Sequence, residues 1–206
     1  MFELRRAQRR AGLGPDGTQR TGIAQVAARL IADHGIADWS LAKRKAAREL
    51  DLPERGALPS DEEIEAALLE HQSLFGGEEH VERLRAQRTE ALAWMRRLEA
   101  FSPRLVGGVA GGWATDHSDI RLELIADDAK AVEIFLLNAD VDYRSIPPRH
   151  RDAPEELYLD TDCGGLRLII RTPLAARQRP RRAGVAERLD VREVAALLAE
   201  GGGEEA

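Results

Sequence analysis

Cysteine is almost missing from this chain: Cys163 stands alone among 206 residues. No disulfide can close within the chain and no cysteine-based zinc site can form, so a reducing, cytoplasmic setting is expected. Lysine is scarce too. Lys43, Lys45 and Lys130 are the only lysines among 30 basic residues, an arginine excess that we read as genome composition rather than function. No apolar run approaches the ~20 residues of a bilayer span, so no membrane partner is expected. Arg5, Arg6, Arg9 and Arg10 are not followed by the apolar stretch of a secretory signal. His34, His71, His80, His117 and His150 lack HExxH or any other metal-ligand spacing. No internal repeat is visible.

What is present is a soluble globular composition, with 43% hydrophobic and 32% charged residues. The length suits one domain with a sizeable core, or a small helical domain beside a small α/β domain. A net charge of −6 argues against bulk attraction to nucleic acid but leaves room for a local basic patch.

The periodicity predicts a helical first half. Residues 1–19 lack periodicity and read as a flexible arm. Ile23, Val26, Ala27, Leu30 and Ile31 form one helical stripe over 21–34, stopped at Gly35. Ser40 is a candidate N-cap for a helix over 41–50, and Ser60 to Glu63 spells a capping box for the next. A long helix follows over 78–100. Beyond Pro103 the pattern changes. Leu105-Val106 and the alternating 120–126 read as strands, 132–138 as a central strand because it is apolar on both faces, and 157–160 with 166–171 as a hairpin. A last helix is expected over 190–199. The domains expected are therefore an arm over 1–19, a helical region over 20–100, an α/β domain over 101–200 and a tail over 201–206.

The densest signal is Gly107-Gly108-Val109-Ala110-Gly111-Gly112-Trp113-Ala114-Thr115-Asp116-His117-Ser118-Asp119-Ile120, where small residues lead into a carboxylate at the head of an apolar strand. Glycines let backbone N–H groups approach a polyphosphate and take positive φ at low steric cost. A strand-borne Asp after such a loop can hold a divalent metal that bridges phosphate oxygens. Phosphoryl or nucleotidyl transfer asks for little more than positioning, metal and neutralised charge. The plain alternative is a tight surface turn capped by Asp119.

On these residues the chain resembles the nucleotidyltransferase superfamily, the polymerase-beta-like or minimal nucleotidyltransferase fold. That family carries a Gly-Ser pair after a strand and helix, then Ser-Asp-hydrophobic-Asp-hydrophobic, then a small third strand with another acid. Val106-Gly107-Gly108 takes the first place, Gly107 to Ser118 is an ungapped step of eleven, and Val132-Glu133-Ile134 is similar to the third element. The resemblance spans about residues 84 to 138. It implies an α+β fold, an N-terminal helical bundle packed on a small mixed β-sheet with a nucleotidyltransferase-like core. It further implies a nucleotide triphosphate bound at Gly107, Gly108, Gly112 and Ser118, and Mg²⁺ held by Asp119 and Glu133 as catalytic carboxylates; Arg121 as a further nucleotide contact and Glu123 as a further metal ligand are the expectations added by this chain's own residues.

Two positions depart from the pattern. Gly108 replaces the usual Ser, and Arg121 replaces the second Asp. Alternation puts Asp119, Arg121 and Glu123 on one strand face, so a guanidinium stands where a metal-binding carboxylate belongs. Three arrangements follow. Glu123 or Glu133 rebuilds a metal site with Asp119; Arg121 binds phosphate itself, giving a binder without catalysis; or Arg121 pairs with its neighbours as a plain surface ladder.

The rival function is DNA-binding regulation. Residues 27–35 with Trp39-Ser40-Leu41 resemble the first helix and turn of TetR-type domains, and Lys43, Arg44, Lys45 and Arg48 make the next helix basic. Pro53 and Pro59, however, lie where a recognition helix should run. Trp113 can stack on a base or plug the loop. Asp160 and Asp162 read as turn chemistry, and Arg177, Arg179, Arg181 and Arg182 as a solvated basic loop.

Overall fold

The computed structural model describes residues 15–36, 38–54, 56–148, 153–178 and 188–200. It is an α+β protein that divides into two compact units: residues up to Gly77 together with Thr115–His117, and Glu78–Ala114 with Ser118 onward.

The first unit is helical. Helix α1 spans Pro15–His34, α2 Trp39–Glu49 and α3 Asp61–Phe75. The α1 stripe is buried at Ile23, Ala27 and Ile31, and meets Ala42, Ala46 and Ala47 of α2 and Ile64 and Leu68 of α3 in the core. α1 begins earlier than its apolar stripe suggests. Pro15 supplies a first-turn φ already suited to a helix and lacks only an N–H that would be orphaned there, so residues 15–19 are helix, not arm; residues 1–14 lie outside the described residues. Asp38, not Ser40, caps α2, accepting from the Leu41 N–H at 3.1 Å. The Ser60 capping box is present in both directions, Glu63 N–H to Ser60 Oγ at 3.2 Å and Ser60 N–H to Glu63 Oε2 at 2.7 Å. His117 is exposed, with its ring against the Cα of Gly35.

The second unit holds a five-stranded mixed sheet. Its elements are α4 (Gly77–Arg97), a 3₁₀ turn (Glu99–Phe101), β1 (Arg104–Val106), α5 (Gly108–Gly111), β2 (Ile120–Ile125), α6 (Ala129–Asn138), β3 (Arg144–Ile146), β4 (Glu155–Thr161), β5 (Gly164–Arg171), α7 (Pro173–Gln178) and α8 (Val191–Glu200). The strand order is β1-β2-β5-β4-β3, and β2–β5 is the parallel pair among antiparallel ones. Leu189 bridges Leu105 and so lengthens the β1 edge. One face of the sheet is apolar: Leu105, Ile120, Leu122, Leu124, Leu157, Leu159, Leu166, Leu168 and Ile170 are buried against Leu92, Met95 and Leu98 of α4, Val132 and Leu136 of α6, and Val194 of α8. Because α4 gives its apolar face to this core, the division of the chain falls at Gly77 and not between residues 100 and 101.

Residues 132–138 are not a strand. Asp128 caps a helix there, accepting from the Ala131 N–H at 3.1 Å, and α6 buries Ala129, Val132 and Leu136 while Ile134 and Leu137 stay exposed. An apolar run of this length has no period that separates a two-faced strand from a helix, and the Asp-Asp start decides it. The last helix starts as its sequence implies, with Asp190 accepting from the Arg192 and Glu193 N–H groups.

Candidate functional site

The opposite face of the sheet is polar, and register sets its chemistry. Asp119, just before β2, and Arg121 and Glu123 on it follow one another at every second residue. Arg121 is directly paired with Arg167 on β5, and Arg167 in turn with Tyr158 on β4. Two guanidiniums on paired positions repel unless anions lie between them. Asp119 supplies one: Arg167 Nε donates to its Oδ2 at 2.6 Å, and Arg167 Nη1 reaches Glu156 Oε2 at 3.4 Å. Burial alone would weaken the Arg167 cation, but the hydrogen bond and charge of Asp119, with Glu156, outweigh it and hold its pKa above the usual arginine value.

This convergence needs Gly165. A Cβ there would run into Asp119 Oδ1 and the Tyr158 hydroxyl. Glu123 lies deeper, its side chain 4% exposed, with Arg171 Nε donating to Oε1 at 3.0 Å and Arg188 against the other oxygen. Asp119 and Glu123 are thus already held by cations of their own sheet.

Arg121 differs. It is exposed, and among the described residues no carboxylate lies within ion-pair distance of it. Its aliphatic stem crosses Gly107, where a Cβ would sit 3.2 Å from Arg121 Cδ; Gly107 has φ +75° and ψ −154°, a conformation open to glycine. The glycine turn therefore lies under Arg121, which has no carboxylate partner among the described residues.

The turn is packed from within. Gly108 is buried, and a side chain at this position would collide with the Trp113 ring and the Ala114 backbone. The serine common in the nucleotidyltransferase family has no room here, because Trp113 plugs the loop. Gly112 ends α5 in the left-handed region at φ +81°. The Ser118 carbonyl accepts from Gln87 of α4 at 3.1 Å.

The expected metal set does not assemble. Glu133 is on α6, the layer that covers the apolar face, whereas Asp119 and Glu123 project from the other. Among the described residues no three His, Cys, Asp or Glu side chains come together as a metal site. The strand beside β2 is β5, and the position facing Arg121 on it is Arg167, so the place open to a third strand-borne acid carries another arginine. Sequence reasoning read 166–171 as half of a hairpin and missed Arg167 and Arg171, because their role depends on the non-local β2–β5 pairing. Asp160 pairs with Arg144 at 3.1 Å. Arg177 lies in α7, while Arg179, Arg181 and Arg182 lie outside the described residues.

No family model matches the chain, and no curated protein sequence matches it. Two solved structures are similar to part of it. Cid1 in complex with the UTP analog UMPNPP matches 52% of this chain and 39% of its own, at 18% identity and a TM-score of 0.36. A cytoplasmic RNA terminal U-transferase matches 48% of this chain and 31% of its own, at 20% identity and a TM-score of 0.31. The chain thus corresponds to less than half the length of either.

Proposed function

We propose that this protein binds a nucleotide triphosphate through Arg121 over the 107–112 glycine turn, on a nucleotidyltransferase-like face that has lost nucleotidyl transfer. The observation that carries the reading is the pairing pattern: Asp119 and Glu123 are neutralised by Arg167, Arg171 and Arg188, while Arg121 has no acidic partner among the described residues. Those pairs leave the face with a surplus cation where nucleotidyl transfer would need surplus carboxylates. A guanidinium offers a planar fork to phosphate oxygens, and Gly107 lets a ligand approach the backbone beside it. The residues do not suit Mg²⁺. A divalent ion at Asp119 would have to displace Arg167 and sit beside Arg121.

Calorimetry with ATP, GTP, CTP and UTP in excess EDTA tests this. Binding is expected without metal, and Arg121→Ala should weaken it by about tenfold or more, the scale of one charge-assisted hydrogen bond. Binding that requires Mg²⁺ and disappears in Asp119→Ala, binding to none of the four, or incorporation of labelled nucleotide into an acceptor would each overturn it.

A further inference from the structure

Helix α5 is too short and too rich in glycine to hold itself. Four residues, Gly108-Val109-Ala110-Gly111, do not offset the cost of helix nucleation, and each glycine weakens it further. Its last carbonyls have no acceptor role inside the helix. Side chains along one stripe of α4 donate to these carbonyls and to those that follow. Arg88 Nε donates to the Val109 carbonyl at 3.0 Å and its Nη2 reaches the Ala110 carbonyl at 3.4 Å. His80 Nε2 is 3.1 Å from the Gly112 carbonyl; a carbonyl oxygen only accepts, so His80 carries a proton on Nε2. Gln87 donates to the Ser118 carbonyl at 3.1 Å, just before Asp119. Positions 80, 87 and 88 share a helix face at steps of seven and eight, His80 and Gln87 are buried, and a cation at the C-terminal end of α5 also complements its dipole.

We propose that Arg88, with His80 and Gln87, is a set of positioning residues that holds the glycine turn in the shape over which Arg121 lies. They act through the turn, whose carbonyls they bind. The functional half of this proposal rests on the nucleotide-binding reading, and the structural half does not. Loss of the Arg88 fork frees two carbonyls, loosens α5 and unseats Trp113 from Gly108.

The test uses the full chain with Trp39→Phe and Trp94→Phe, which leaves Trp113 as the sole indole. Acrylamide quenching reads its exposure, far-UV circular dichroism reads the fold, and calorimetry in EDTA with ATP, GTP, CTP and UTP reads binding. Arg88→Met should raise the quenching constant severalfold with circular dichroism unchanged, and weaken nucleotide binding by about tenfold. Arg88→Lys, which donates to one carbonyl but not two, should fall between. If Arg88→Met fails to fold, Gln87→Leu carries the same measurement. Unchanged Trp113 quenching in the folded variants, or Arg88→Lys no better than Arg88→Met, overturns the brace. Increased quenching with normal nucleotide affinity overturns its functional half. If the parent chain binds no nucleotide, the earlier reading fails, while the quenching result still decides whether α4 holds the turn.

Discussion

Gly165 and Glu123 show how single residues set the electrostatics of the polar face. Gly165 is not in a tight turn; it is the missing Cβ over which Asp119 and Tyr158 converge, and it allows Asp119 to reach Arg167. Gly165→Ala is therefore expected to push Asp119 aside and to destabilise by about 1–3 kcal/mol, as overpacking does. Glu123 is a buried carboxylate between Arg171 and Arg188. Glu123→Gln leaves two cations facing a neutral amide, and removing one partner of a buried ion pair costs about 3–5 kcal/mol. Urea unfolding followed by circular dichroism checks both. A Gly165→Ala midpoint at or above that of the parent would mean that Asp119 is free to move without cost. An unshifted Glu123→Gln midpoint would mean that the two arginines are solvated rather than held. These roles were only partly legible. Asp119, Arg121 and Glu123 could be placed on one strand face from alternation alone, but Arg167 and Arg171, which hold Asp119 and Glu123 from β5, lie 48 positions on.

At the scale of elements, the glycine turn, β2, the β4–β5 hairpin and the start of α3 are legible because each is written in local chemistry: a Ser-x-x-Glu box, alternation, or glycine at positive φ. Helix α6 is not. Its sequence, Ala-Lys-Ala-Val-Glu-Ile-Phe-Leu-Leu-Asn, has few polar residues to mark a face, so it reads as a strand carrying Glu133, whereas Glu133 belongs to a helix on the other side of the sheet. The pairing of β2 with β5 was also hidden, because a parallel neighbour is chosen by tertiary packing and leaves no turn signal between the strands. The helix makes a prediction that a strand would not. Leu136 is fully buried and Leu137 is 63% exposed, so Leu136→Ala should cost about 2–5 kcal/mol and Leu137→Ala within about 0.5 kcal/mol. Similar losses in both, read from urea midpoints, would contradict the helix.

At the scale of the whole molecule, the distribution of charge weighs against the DNA-binding alternative. The chain carries −6 overall, and among the described residues of the first unit four of the six lysines and arginines pair within it. Arg29 faces Glu49, Lys43 bonds Asp61 at 2.8 Å, Arg48 bonds Glu54 at 2.8 Å, and Arg20 lies 3.3 Å from Glu63. The helix that follows α2, where a recognition helix would run, opens with Asp61-Glu62-Glu63. Three carboxylates at that end would meet the phosphate backbone with repulsion, and a reading helix in the major groove needs the opposite. A duplex of mixed sequence should therefore show no mobility shift at micromolar protein in about 0.1 M salt, conditions under which a basic DNA-binding module retains at least non-specific affinity. The measurement is a salt series with the parent chain and with Lys43→Ala, Arg44→Ala and Lys45→Ala combined. A shift that weakens steeply with salt and vanishes in the triple variant would make the helical unit the functional one, and Arg121 with its glycine turn would lose its claim to be the binding site of the molecule.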